Sequence, residues 1–160
     1  MANVQALCSS FKKELLCGSH ALGAQAANGT RTVTTVDVIK AALFTVAASP
    51  SIDATTTAYT TTGEVTNGSG SGYTAGGATV TNANAPTNST TYAIWTPSAS
   101  LVWSAFTSAA AFDCVLFYNS SSTGKLAISS HTFGSQSITS GTFTLTMPSN
   151  AVGTALVQIS

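Results

Sequence analysis

From Val4 onward apolar residues recur at Val4, Leu7, Cys8, Phe11 and Leu15, the three-and-four spacing that lines one face of an α-helix. Asn3 is placed to cap that helix, Gly18 to end it, and Lys12 and Lys13 lie on its wet face. Ser19 to Arg31 is rich in Ala and Gly and reads as an irregular, extended arm. From Val36 the pattern changes to short β-branched and aromatic runs broken by Gly, Asn, Ser and Pro, the pattern of strands. The run from Val36 to Val46 predicts a first strand, and "AASPSIDA" predicts the turn after it.

"ATVTNA", "TYAIWT" and "SLVWSAF" predict three more strands, with Pro86 and Pro97 between them. "FDCVLFYN" is apolar on both alternations except at Asp113, as expected of an interior strand covered on both faces. Asp113 is then expected to hold a buried hydrogen bond. "KLAISSHTF", "GTFTLTM" and "TALVQIS" close the series. In the second of these Phe143, Leu145 and Met147 alternate with Thr142, Thr144 and Thr146, so one side packs and the other meets solvent or a neighbour. The fold class expected is mainly β: an antiparallel β-sandwich or jelly-roll-like domain over residues 36–160, preceded by a short amphipathic α-helix and an arm over residues 1–35.

Composition sharpens this picture. The 160 residues suffice for one core, and 44% of them are apolar, which sets the chain apart from disordered sequences. Charged residues make up 6% against a usual share of about 25%, and nearly a third of the chain is Ser or Thr. The surface must be hydroxyl-rich and uncharged. Five basic residues, Lys12, Lys13, Arg31, Lys40 and Lys125, leave no stripe for phosphates, so nucleic acid is not an expected partner. A formal net charge of zero gives little repulsion between copies and favours self-association. Cys8, Cys17 and Cys114 lack metal-ligand spacing and read as reduced thiols, in keeping with synthesis in a reducing cytoplasm. Glu14, His20 and Gln25 interrupt the segment that most resembles a signal peptide, and no run approaches the roughly 18 apolar residues of a membrane span. The chain is expected to be unprocessed and soluble, with no membrane partner.

The search for chemistry assigns no catalytic, cofactor-binding or metal-binding residue. Glu14, Asp37, Asp53, Glu64 and Asp113 are scattered one to an element, whereas paired-carboxylate catalysis needs two acids together. His20 and His131 belong to no metal motif, and no nucleophile elbow occurs among the serines. The glycine-rich stretch from Thr60 to Gly77 has no lysine where a phosphate loop needs one, and a strand rather than a helix follows it. It reads as a shaped connector anchored by Val65 and Tyr73, pinned to its own subunit, to a neighbouring subunit, or free. Asn28, Asn67, Asn88 and Asn119 each open an Asn-x-Ser/Thr triplet, which a hydroxyl-rich chain produces by chance. Tyr59, Tyr73, Tyr92, Trp95 and Trp103 read as core or subunit-contact rings, or alternatively as a sugar-stacking platform.

"AYTTTGEVTNGSGSGYTAGGATVTNANAP", "AFDCVLFYNSS" and "HTFGSQSITSGTFTLTMPSNAVGTALVQIS" together resemble a group of tailed-bacteriophage virion proteins that coat or join capsid and tail parts. The resemblance covers most of Val36 to Ser160; the "TNGSGSG" insert is longer than the turns usual in that group. It implies a non-enzymatic decoration (cement) protein on the capsid surface of a virion, bound between major capsid protein subunits. It also implies a homo-oligomer, expected to be a homotrimer, and no cofactor. A neck or tail-fibre adaptor and a carbohydrate-binding adhesive β-module are the alternatives.

Overall fold

The computed structural model describes residues 2–23, 35–67, 72–82 and 84–160, and it is mainly β, with antiparallel sheets and one short helix among those residues. In chain order the elements are β1 (Ala6–Leu7), α1 (Ser9–Leu16), β2 (Ile39–Thr45), β3 (Ala78–Thr79), β4 (Thr87–Ser89), β5 (Tyr92–Trp95), β6 (Leu101–Phe106), β7 (Phe112–Asn119), β8 (Ala127–Gln136), β9 (Gly141–Leu145) and β10 (Val157–Ile159). They form a five-stranded sheet in the order β1-β8-β7-β2-β3, a three-stranded sheet β10-β5-β4, and a two-stranded ribbon β6-β9. Much of the arm expected between Ser19 and Arg31 lies outside the described residues.

β7 is the interior strand its doubly apolar pattern predicts, hydrogen-bonded to β2 on one side and β8 on the other. From Cys114 to Asn119 every residue is buried, and removing each large apolar side chain from water stabilises the fold by roughly 1.5–3 kcal/mol. Registers slip at Asp113 against both neighbours, so this one charged residue sits in a bulge where the ladder is already broken. There its Oδ1 accepts a 2.7 Å hydrogen bond from Asn3 Nδ2, the buried partner expected of it.

Asn3 does not cap the helix. Its side chain also donates to the Thr45 carbonyl and accepts from Ile52 N–H, sewing the N-terminus to the bulge. The helix begins at Ser9, after Ala6 and Leu7 have paired with Ser130 and Ser129 of β8, and Val4 is exposed. The i, i+3, i+4 stripe thus spans a two-residue strand followed by a helix, with Leu7 of β1 half-buried and Cys8, between the two, and Phe11 of α1 fully buried. α1 packs on β8 of its own chain through fully buried Phe11. Gly18 ends it as expected, at φ +69°, with Gly18 N–H on the Leu15 carbonyl and Ser19 N–H on the Glu14 carbonyl.

The ribbon lays one side against the large sheet. Trp103 of β6 stacks on Phe143 of β9, and Phe143 meets Phe112 of β7 edge-on with ring centres 5.0 Å apart. β6 reaches this contact through a bulge: Leu101, Trp103 and Phe106 are buried, and Ala105, at φ +53°, absorbs the extra residue that turns Phe106 inward. On β9 the expected alternation holds, with Thr142 and Thr144 exposed and Phe143 and Leu145 half-buried.

Candidate functional site

Glu64 organises the glycine-rich connector. Its carboxylate is buried, with Oε2 accepting from Tyr59 Oη at 2.5 Å and Oε1 accepting from Tyr73 Oη and Gly76 N–H, each at 2.7 Å. A buried carboxylate is tolerated when several donors surround it, and here three converge. Tyr73 Oη also accepts from Leu43 N–H on β2, and Tyr118 of β7 donates to the Gly76 carbonyl at 2.7 Å. Tyr59 stacks on Tyr118 with Lys125 Nζ 5.0 Å from its ring centre. Burial first, and then Glu64, through its hydrogen bond to Tyr59 and its charge beside Tyr73 and Tyr118, raise all three phenols, with Tyr118 pushed up to about 12. They therefore remain protonated donors across the physiological range.

The anchors expected at Val65 and Tyr73 are both buried, and both tie the connector to β2 of its own subunit. Gly77, at φ +70°, passes so close to Ala41 that a methyl group there would collide with its carbonyl oxygen. Residues 68–71, including part of the long "TNGSGSG" insert, lie outside the described residues.

A second polar chain links the N-terminal segment to the sheet. Glu14 Oε2 lies 2.8 Å from His20 Nε2, and His20 Nδ1 lies 3.2 Å from Asn119 Nδ2, which also donates to Asp37 Oδ2 at 2.6 Å. Asp37 Oδ2 accepts a further 2.7 Å bond from Ala21 N–H. Asn119 is fixed by its own Oδ1, which accepts from Ser121 and Ser122 N–H, so its amide presents a donor to His20. His20 then accepts at Nδ1 and donates from Nε2 to Glu14. Both nitrogens are engaged, and the ring meets Phe11 edge-on. A cavity of about 370 Å³ opens beside it, lined chiefly by Phe11, Leu15, Leu22, Trp95, Val157 and Ile159. Trp95 Nε1 bonds Asn82 Oδ1 and the Asn84 carbonyl, so the polar groups of both rings are already committed.

The remaining candidates take structural positions. Asp53 sits in a turn where the Thr55 hydroxyl and amide and the Ser51 hydroxyl hold its carboxyl below the usual carboxylate range. Burial pushes Cys8 and Cys114 up to about 12, aided by Asp53 beside the first and Asp113 beside the second; Cys17 is exposed. His131, on β8, packs edge-on against Phe117 near Ser129 Oγ, and burial lowers its pKa to about 4. Among the described residues no group of three His, Cys, Asp or Glu side chains is placed to hold a metal ion. Trp95, Trp103 and Tyr73 are buried and Tyr59 is held against Tyr118, so these rings are core and form no exposed stacking platform. Asn119 is fully buried, Asn88 is exposed on β4, and Asn28 lies outside the described residues.

Sequence reasoning saw Tyr73 as an anchor but missed Glu64 as the group it is anchored to. A lone acid in a Gly/Thr run with a tyrosine on either side was the available signal. The Glu14–His20–Asn119–Asp37 chain joins residues up to 99 positions apart and left no local trace.

What remains is the surface. No Lys, Arg, Asp or Glu occurs from Val65 to Phe112 or from Leu126 to Ser160, a span that holds the whole of the three-stranded sheet and the ribbon. Among the described residues β4, exposed at all three positions, and β10 are the edges of one; β6 and β9 are each an edge of the other. The ribbon turns Val102, Ser104, Thr142 and Thr144 outward, Val102 being 56% exposed. No family model, curated protein or solved structure matches this chain.

Proposed function

We propose that this chain is a non-enzymatic structural protein of a tailed-phage virion, decorating and stabilising the capsid by binding between major capsid protein subunits as a homo-oligomer. In this reading the ribbon and the five-stranded sheet are the two layers of a β-sandwich. The observation that carries it is the charge-free surface of the small sheets, whose open edges offer backbone donors and acceptors to a neighbour. Hydroxyl-lined strands adhere through area and main-chain hydrogen bonds, which salt weakens little. Attachment at many equivalent points on a symmetric shell makes weak single contacts strong together. The buried polar clusters support the same reading, because Glu64 and His20 spend their hydrogen-bonding capacity holding the chain rigid.

Copy number tests the proposal. On a quantitative gel of purified particles carrying this chain, decoration predicts a band comparable with that of the major capsid protein. A band equivalent to one small ring would place the chain at the neck or fibre base instead. Its absence from particles would rule the virion reading out.

A further inference from the structure

Of the uncharged edges, β9 is the one of five residues or more that keeps a regular polar/apolar alternation, since β6 is broken by its bulge. Among the described residues its one hydrogen-bonded neighbour is β6, and its inward side chains Phe143 and Leu145 are half-buried, as is Met147 just beyond the strand. Its outward positions Thr142, Thr144 and Thr146 are all exposed, and Pro148 stops the strand from extending. This is an edge without the lysines, glutamates or inward charges that usually block sheet-to-sheet pairing.

The sequence Gly141–Met147 is also self-complementary. Set antiparallel to a second copy about Thr144, it places Thr144 opposite Thr144, Thr142 opposite Thr146, Phe143 opposite Leu145 and Gly141 opposite Met147. That register pairs every residue of the run, continues the threonine face and the apolar face across the contact, and brings no charge against another. A slip of one residue would set Phe143 opposite Thr144 and mix the two faces; a centre at Phe143 or Leu145 would keep the faces but would set Met147 opposite Thr139, or Thr142 opposite Pro148, at one end of the run. Directly opposed Thr–Thr pairs and apolar pairs are each favourable across a ladder.

We infer that β9 is a self-pairing edge, joining two copies of this chain through antiparallel β9–β9 hydrogen bonds centred on Thr144. The contact is isologous and two-fold, so it links copies in pairs; three-fold grouping would need a different, heterologous surface. It names the self-association surface of the virion protein proposed above and rests on that reading only for its purpose, not for its geometry. The half-buried Phe143, Leu145 and Met147 gain cover when the second ribbon arrives, which supplies the apolar part of the drive.

Cysteine cross-linking in the full chain, with exposed Cys17→Ser as background, tests the register. Under mild oxidation or a short thiol-to-thiol linker, Thr144→Cys should give roughly tenfold more covalent dimer than Thr142→Cys alone. An equimolar mixture of Thr142→Cys and Thr146→Cys should recover the dimer. Equal cross-linking at both single positions, or none at Thr144→Cys, would overturn the pairing. As a second route, Thr144→Lys sets like charges face to face and should make the chain monomeric, and adding Thr144→Glu should restore the complex. Undiminished association of Thr144→Lys would also overturn it. These outcomes are read in purified protein, whereas the virion reading is read from particles. A chain that decorates particles without cross-linking at Thr144→Cys sinks the pairing alone, and one that pairs but never appears on particles sinks the virion reading alone.

Discussion

The five-stranded sheet and the two smaller sheets handle polar groups in opposite ways. Around the large sheet, acids are drawn inward and hydrogen-bonded: Glu64 by two phenols and an amide, Asp37 by Asn119 and Ala21, Asp113 by Asn3. The ribbon and the β10-β5-β4 sheet carry no charge at all and turn threonine, serine and Val102 to the outside. Buried, satisfied polar groups specify a single arrangement, because each wrong packing leaves one of them without a partner. Uncharged edges specify little about their own fold but accept a neighbour at small desolvation cost. In the proposed reading, one half of the molecule is built to stay as it is, and the other to be added to.

If that division is right, substitutions that disturb buried groups or strained backbone should act on stability, and those at the outward threonines of the ribbon on association. The largest effect is expected at Gly77→Ala, where a methyl group meets the Ala41 carbonyl at a positive φ; denaturant unfolding should show a loss of about 4 kcal/mol. Next comes acid. Because burial holds His131 near 4 in the folded chain, the unfolded chain takes up its proton first as pH falls below about 6.5. Stability is then complete above that value and declines as pH drops toward 4, by about 3 kcal/mol in total. His131→Gln should flatten this decline in unfolding curves measured between pH 7 and 4.

Glu64→Gln should cost about 2 kcal/mol, since the charge-assisted bonds are lost and the new amide donor meets groups that now donate to the carboxylate. Hydrogen exchange at Gly76 would report the same loosening. Ala105→Gly should stabilise by about 1 kcal/mol by relieving the left-handed backbone at the β6 bulge, seen as a rise in melting temperature. Thr142→Ser, on the outer ribbon face, should change unfolding free energy by less than about 0.5 kcal/mol. A large stability loss there would erase the distinction between the two halves.

The same division decides what the sequence could reveal. Strands whose burial shows in their own pattern were legible: the run Phe112–Asn119 is β7 residue for residue, and the Thr/apolar alternation marks β9. β1 was hidden because Leu7, Cys8 and Phe11 satisfy a helical stripe as well as a strand-then-helix path. β4 was hidden because its hairpin turns on Thr90 and Thr91, with Thr90 at φ +53°, where an Asn-Gly pair would have announced it. The polar clusters were the least legible. Glu64 meets Tyr73 and Gly76 across a folded-back connector, and His20 meets Asn119 across most of the chain, so only the fold brings those partners together.

The central claim is that the uncharged sheets are where copies of this chain meet their neighbours, through backbone and apolar contact rather than through charge. Sedimentation velocity of the purified chain, from low salt to about 1 M, tests it most directly, because exposed ion pairs are strongly screened at that ionic strength. Complexes that form with rising protein concentration and persist at high salt are the predicted result. A chain that stays monomeric at every concentration, or whose complexes dissolve as salt is added, would contradict it.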